Sequence, residues 1–235
     1  MSNQHKILTG AYWTSTFLTL AAAVALLFTY TPDEATMGPV QKIFYLHLPL
    51  AINTFLACLV CFAASIAYLA TRDTKWDDLA AASARVAVLL CTGVLITGMI
   101  WGKSAWGQWW TWSPRLTFSF MLWLLYVVYL LLRSSVESAQ RRAVVSAVYA
   151  VVAFLDVPLV WLSAKLIPDI HPSSIALAPE MKLTLAVWFA PITLIAAGLI
   201  VTRFLLNREQ RTTRTQTQFA SRSGPTTLRT VGGAV

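Results

Sequence analysis

Six long apolar stretches, all but one free of charged residues, constrain this chain more than any other feature. They run over Thr9–Tyr30, Leu48–Ala70, Val86–Trp101, Leu116–Leu132, Ala143–Ala164 and Leu183–Val201, and only the fifth holds an ionisable group, Asp156. A hydrocarbon core of about 30 Å takes roughly 20 residues of helix to cross. Inside it every backbone N–H and C=O must be paired by the segment itself or by a closed barrel. No barrel-like alternation is visible, so the expected fold is an all-α integral membrane protein, a six-helix transmembrane bundle. With 57% hydrophobic and 12% charged residues, the chain lacks the polar surface of a water-soluble domain. The third and fourth stretches are short and need flanking tryptophans or interfacial residues to complete the crossing. The first is longer than a signal-peptide core of roughly 7–15 residues and is expected to remain as the first helix.

The cations set the orientation. Lys6, Arg72, Lys75, Arg85, Arg133, Arg141, Arg142, Arg203, Arg208, Arg211, Arg214, Arg222 and Arg229 lie in the termini and even-numbered loops. Lys42, Lys103, Arg115, Lys165 and Lys182 lie in the odd-numbered ones. This bias predicts both termini in the cytoplasm and the odd loops outside. The net charge of +8 is then mostly cytoplasmic, and no nucleic-acid partner is needed to explain it. The expected organisation is a membrane domain over residues 1–206 with an outer tryptophan-rich loop at 101–117. A basic tail over 207–235, rich in Thr, Arg, Gln and Ser, is expected to be disordered. Its arginines can meet anionic lipid headgroups at about 1 kcal/mol each. Cys58, Cys61 and Cys91 fall inside spans and read as small core residues.

Five of the ten tryptophans fall in one short stretch: Trp101, Trp106, Trp109, Trp110 and Trp112. Belt anchors are spread one per helix end, so this cluster goes beyond anchoring. With Gly102 and Gly107 between the indoles, it predicts a flat aromatic platform. Of the three histidines, His5 is in the N-terminal tail, while His47 and His171 are both placed in outer loops beside helix ends, on the platform's side of the membrane. Neutral imidazole is a common metal ligand, and porphyrin iron takes axial nitrogens above and below its plane. A porphyrin is flat, apolar and edged by carboxylates, so indoles can stack on it and a cation can pair with its edge. Among Lys42, Lys103 and Arg115, the last is favoured because a guanidinium can grip a carboxylate with two parallel bonds.

The segment WGQWWTWSPRLT resembles the tryptophan-rich signature of the haem-handling proteins of cytochrome c maturation. The segments GPVQKIFYLHLPLA, IHPSSI and LDVPLVWLS are similar to the two histidine regions and the fifth helix of the haem exporter C (CcmC) family. The likeness extends over about Gly38–Arg203. The resemblance implies haem b, held transiently and without covalent attachment at the outer, periplasmic face of a bacterial inner membrane. It implies His47 and His171 as axial ligands of the iron, and Trp101, Trp106, Trp109, Trp110 and Trp112 as the supporting surface. Gly102 and Gly107 would allow close approach. The implied partners are the haem chaperone CcmE, the ABC-type subunits CcmA and CcmB, and the small helper CcmD. No Walker-type phosphate loop is present, so the chain is expected to be a delivery or transport component and not an enzyme. Two departures from the family pattern stand out. Ser113 occupies the place of the signature's aspartate, and LIPDIHP lacks the paired tryptophans that precede the second histidine.

Other readings compete. An electron-transfer cytochrome would use two histidines from helix interiors. A quaternary-amine transporter would use the indoles as a cation–π cage. A haem lyase would carry more helices and histidines. Asp156, about 12 Å by helical rise from the outer end of its span, is either a structural acceptor at a proline kink or a functional group.

Overall fold

The computed structural model describes residues 3–166 and 176–222. Seven α-helices follow one another: α1 (Asn3–Thr29), α2 (Phe44–Thr71), α3 (Thr74–Trp106), α4 (Pro114–Ser135), α5 (Ala139–Ala153), α6 (Asp156–Leu166) and α7 (Pro179–Arg222). A 3-10 turn at Pro39–Ile43 leads into α2. Six helical stretches are long and apolar enough to cross a membrane, α5 and α6 together supplying the fifth. The six-span all-α bundle read from the sequence is the observed architecture.

Helices α2 and α3 form the central hairpin. Arg72 closes α2 in the left-handed region (φ 59°) and Asp73 opens α3, its side chain accepting from the Lys75 backbone N–H at 3.0 Å. That hydrogen bond, strengthened by the Lys75 ammonium, holds the exposed Asp73 carboxyl below its ordinary pKa. Between α2, α3, α4 and α5 the core is built largely from small side chains: Ala57, Cys58, Cys61, Ala80, Ala84, Ala87 and Ala150. Lipid tails are as apolar as leucine, so membrane helices gain from close backbone approach, and small residues permit it. The three cysteines are buried and unbridged, as core residues would be. The α1–α7 contact has the same logic at Gly198, where an added Cβ would lie 2.6 Å from a Tyr12 ring carbon.

Four features differ from the sequence expectation. The second span starts earlier, at Pro39, and the third is longer than its uncharged middle because the polar ends Thr74–Arg85 and Lys103–Trp106 continue the helix. The expected loop at 101–117 therefore shrinks to Gly107–Ser113. The fifth span is broken: Leu155 donates to Val152 O (3.1 Å) and Val157 to Phe154 O (3.0 Å). Pro158 lacks an N–H and its ring crowds the carbonyl four residues back, at Phe154, so the helix restarts at Asp156.

The tail expected to be disordered is helical from 207 to 222, while 223–235 lie outside the described residues. Extending an existing helix needs no new nucleus, and tertiary contacts hold this one. The Asn207 side-chain amide donates to Asp78 O at 2.9 Å. Arg211 spans Asp77 and Asp78, and Arg133 of α4 grips Asp77 through its two terminal guanidinium nitrogens.

Candidate functional site

At the opposite end of the bundle from this ion cluster, a cavity of about 380 Å³ opens between the first turns of α2 and α4, the last turns of α3, and α6. Its volume lies within the roughly 300–1,000 Å³ of small-molecule sites. Its walls are mostly apolar and aromatic, with His47 and Arg115 among the few polar groups that line it.

His47 is the fourth residue of α2, not a loop residue as expected. The helix begins at Phe44, immediately after the 3-10 turn. Its imidazole is fixed from α3. Nδ1 lies 2.8 Å from Thr97 Oγ1, and that hydroxyl in turn donates to Gly93 O at 2.7 Å. Gly98 clears the space beneath the ring, since a Cβ there would meet His47 Cε1 at 3.3 Å. Trp101 stands edge-on to the imidazole with centroids 5.8 Å apart, and Phe44 packs on the same indole.

The tryptophans do not form the expected flat platform. Trp101 is 2% exposed and belongs to α3, as do Gly102 and Trp106. Trp101 and Trp106 are tilted by 30°, whereas Trp110 meets Trp112 edge-on at 79°. Aromatic rings with opposed face and edge charge prefer such offset and T-shaped contacts. The result is a wall around a cavity. Trp101, Gly102, Trp106, Trp109, Trp110 and Arg115 line it together with His47. Trp112 does not, being 73% exposed and packed against Phe120. Gly107 ends α3 in the left-handed region (φ 76°) and turns the chain without lining the cavity.

Of the three candidate cations only Arg115 lines the cavity. Lys103 Nζ caps the end of α3 by donating to Gly107 O at 3.0 Å, and Lys42 pairs with Asp33 at 3.0 Å. Ser113 begins α4 without a side-chain capping bond. His171 lies outside the described residues. Sequence reasoning missed Thr97, Gly98, Phe44 and Trp161, all close to His47 or lining the cavity. Thr97 and Trp101 share a helix face by their spacing of four. Nothing in the sequence shows that His47 faces them.

The fold and cavity define a class: a polytopic helical membrane protein with a histidine-bearing aromatic chamber at one end of its bundle. The family model described as heme exporter protein C (CcmC) matches residues 2–223, and the chain belongs to that family. It is similar to the heme exporter protein C of Paracoccus denitrificans, at 31% identity over 82% of this chain and 78% of that protein. It is also similar to the Rhodobacter capsulatus protein of that name, at 36% over 59% of this chain and 57% of the relative. The Escherichia coli K12 protein is 28% identical over 69% of each chain. The family is one of transport and delivery components, and membership gives the chain a role in haem handling for cytochrome c biogenesis.

Proposed function

We propose that this chain binds haem b, transiently and non-covalently, at the periplasmic face of a bacterial inner membrane and passes it to the chaperone CcmE. The observation that supports this most is the meeting of His47, Trp101, Trp106, Trp110 and Arg115 around one cavity. Imidazole suits iron. The indoles suit an apolar macrocycle, and the guanidinium suits a carboxylate on its edge. In this reading His47 and His171 are the two axial ligands, and Trp101, Gly102, Trp106, Trp109 and Trp110 surround the ring. Trp112 and the Gly107 turn belong to the surface that CcmE meets. CcmA and CcmB supply ATP hydrolysis and CcmD assists, since no phosphate-binding loop is visible here. The membrane domain over 1–206 carries the whole site, and the basic segment beyond it meets anionic lipid.

His47 inside α2 removes one argument against an electron-transfer cytochrome, which would also hold haem from helix positions. The absorption spectrum of the detergent-purified protein, expressed with excess haem, separates the readings. Delivery predicts that CcmE strips the haem and that His47→Ala and His171→Ala each lower co-purified haem severalfold. Full loading in both single variants and in the double variant refutes the assignment. A stable, reversible redox spectrum that CcmE leaves untouched favours the cytochrome.

A further inference from the structure

We propose that Thr97 is the positioning residue of His47, holding its imidazole in the one tautomer that can bind a metal through Nε2. The inference rests on the reading of His47 as a haem ligand and adds to it the group that makes the ligand competent.

A threonine hydroxyl has one hydrogen to give. Thr97 gives it to the carbonyl of Gly93, four residues back along α3, at 2.7 Å, the usual back-bond of a threonine inside a helix. The oxygen that remains can only accept, and His47 Nδ1 stands 2.8 Å from it. With the hydroxyl hydrogen on a carbonyl of its own helix, Gly93 O at 2.7 Å or Val94 O at 3.2 Å, the proposed arrangement has the imidazole proton on Nδ1 and the lone pair on Nε2. Metal-binding histidines commonly donate their second nitrogen in this way, which fixes both tautomer and ring plane. Thr97 is 9% exposed, so water competes poorly for the bond.

Two neighbours on α3 complete the cradle. Gly98 passes beneath Cε1, where a methyl group would press on the ring at 3.3 Å. Trp101, one turn on, stands edge-on to it. Three positions of one helix thus set the proton, the clearance and the flank of a ligand carried by another helix. A neutral hydroxyl partner would raise imidazole basicity less than a carboxylate would, and a bond from His47 to iron would be the easier to break. A site that must release its cargo is served by that weaker push.

The test uses the full-length membrane protein purified with haem, by absorption spectrum, haem occupancy and reduction potential. Thr97→Val keeps the shape and removes the acceptor. The expected result is a 10–100-fold loss of haem affinity, the range for groups that orient metal ligands, with a shifted spectrum and potential. Thr97→Ser restores all three. In His47→Gly without imidazole Thr97→Val makes no further difference, and added imidazole recovers the ligand spectrum. An unchanged spectrum, potential and affinity in Thr97→Val, alongside haem loss in His47→Gly, overturns the positioning role and leaves the ligand reading standing. Failure of Thr97→Ser to rescue overturns it as well, by showing a packing role. Unchanged haem binding in His47→Gly without imidazole sinks the ligand reading and this inference together.

Discussion

At one end of the bundle Asp77 and Asp78 of α3 are held by Arg133 of α4 and Arg211 of α7. At the other end the loop between α3 and α4 carries three buried polar atoms with no hydrogen-bond partner among the described residues: Trp110 Nε1, Thr111 Oγ1 and Ser113 Oγ. The first end is cross-braced by satisfied charges that tie three helices. The second leaves an apolar cavity and uncompensated polar groups around it. Buried polar groups are nearly always paired in native structures, and regions that bind ligands are drawn from the less stable parts of a fold. Ser83 Oγ and Tyr129 OH, toward the Asp77 end, are also buried without a hydrogen-bond partner among the described residues, so the two ends differ by the ion pairs at one and the cavity at the other. A protein that must take up and release a cargo needs both.

The largest expected effect lies at the braced end. Arg133→Ala removes one of the two guanidinium partners of Asp77, which is almost fully buried, and leaves Arg211 as the other, so the loss should approach but stay below the ~3–5 kcal/mol of a buried charge left unpaired. Thermal unfolding in detergent should show that loss, while the haem spectrum of the folded fraction stays as in the parent. A changed spectrum would mean the two ends are not independent.

Asp156 lies between the ends and sharpens the contrast. Asp156 is 5% exposed, and neither carboxyl oxygen has a hydrogen-bond partner among the described residues. Asp156→Leu should stabilise the protein by about 1–3 kcal/mol, the cost of an unsatisfied buried group. Stabilisation with unchanged haem transfer marks a tolerated defect, whereas stabilisation with lost transfer marks a group kept for function.

The smallest stability effect belongs to Trp112. It is exposed and away from the cavity, so Trp112→Ala should change stability by no more than about 0.5 kcal/mol. Haem loading should be normal and transfer to CcmE reduced. Reduced loading would place Trp112 in the cavity wall instead of on the docking surface.

The six spans were legible because hydrocarbon thickness and backbone pairing leave few options for 20-residue apolar runs. The helix ends were not. Thr74–Arg85 and Asn207–Arg222 are polar, and they are helical because Asp77, Asp78, Asn207 and Arg211 find one another. The tryptophan cluster and Arg115 were readable as site candidates by residue type, and so was His47. Their arrangement was not: indoles counted along a chain suggest a shelf, and packing turned them into a wall. Trp161 reaches that wall from α6, a neighbour that no local pattern announces.

What the sequence determined by itself was the number of crossings, the helical class and the kinds of side chain gathered near one set of helix ends. Those follow from hydropathy and residue chemistry, which act locally. Only the tertiary structure decided that Thr97 and Gly98 receive His47, that Arg115 and not Lys42 or Lys103 lines the cavity, and that Arg211 continues α7 past the apolar run. Each depends on which face of one helix meets which face of another. That choice is made by small-residue contacts and buried charges between segments far apart in the chain.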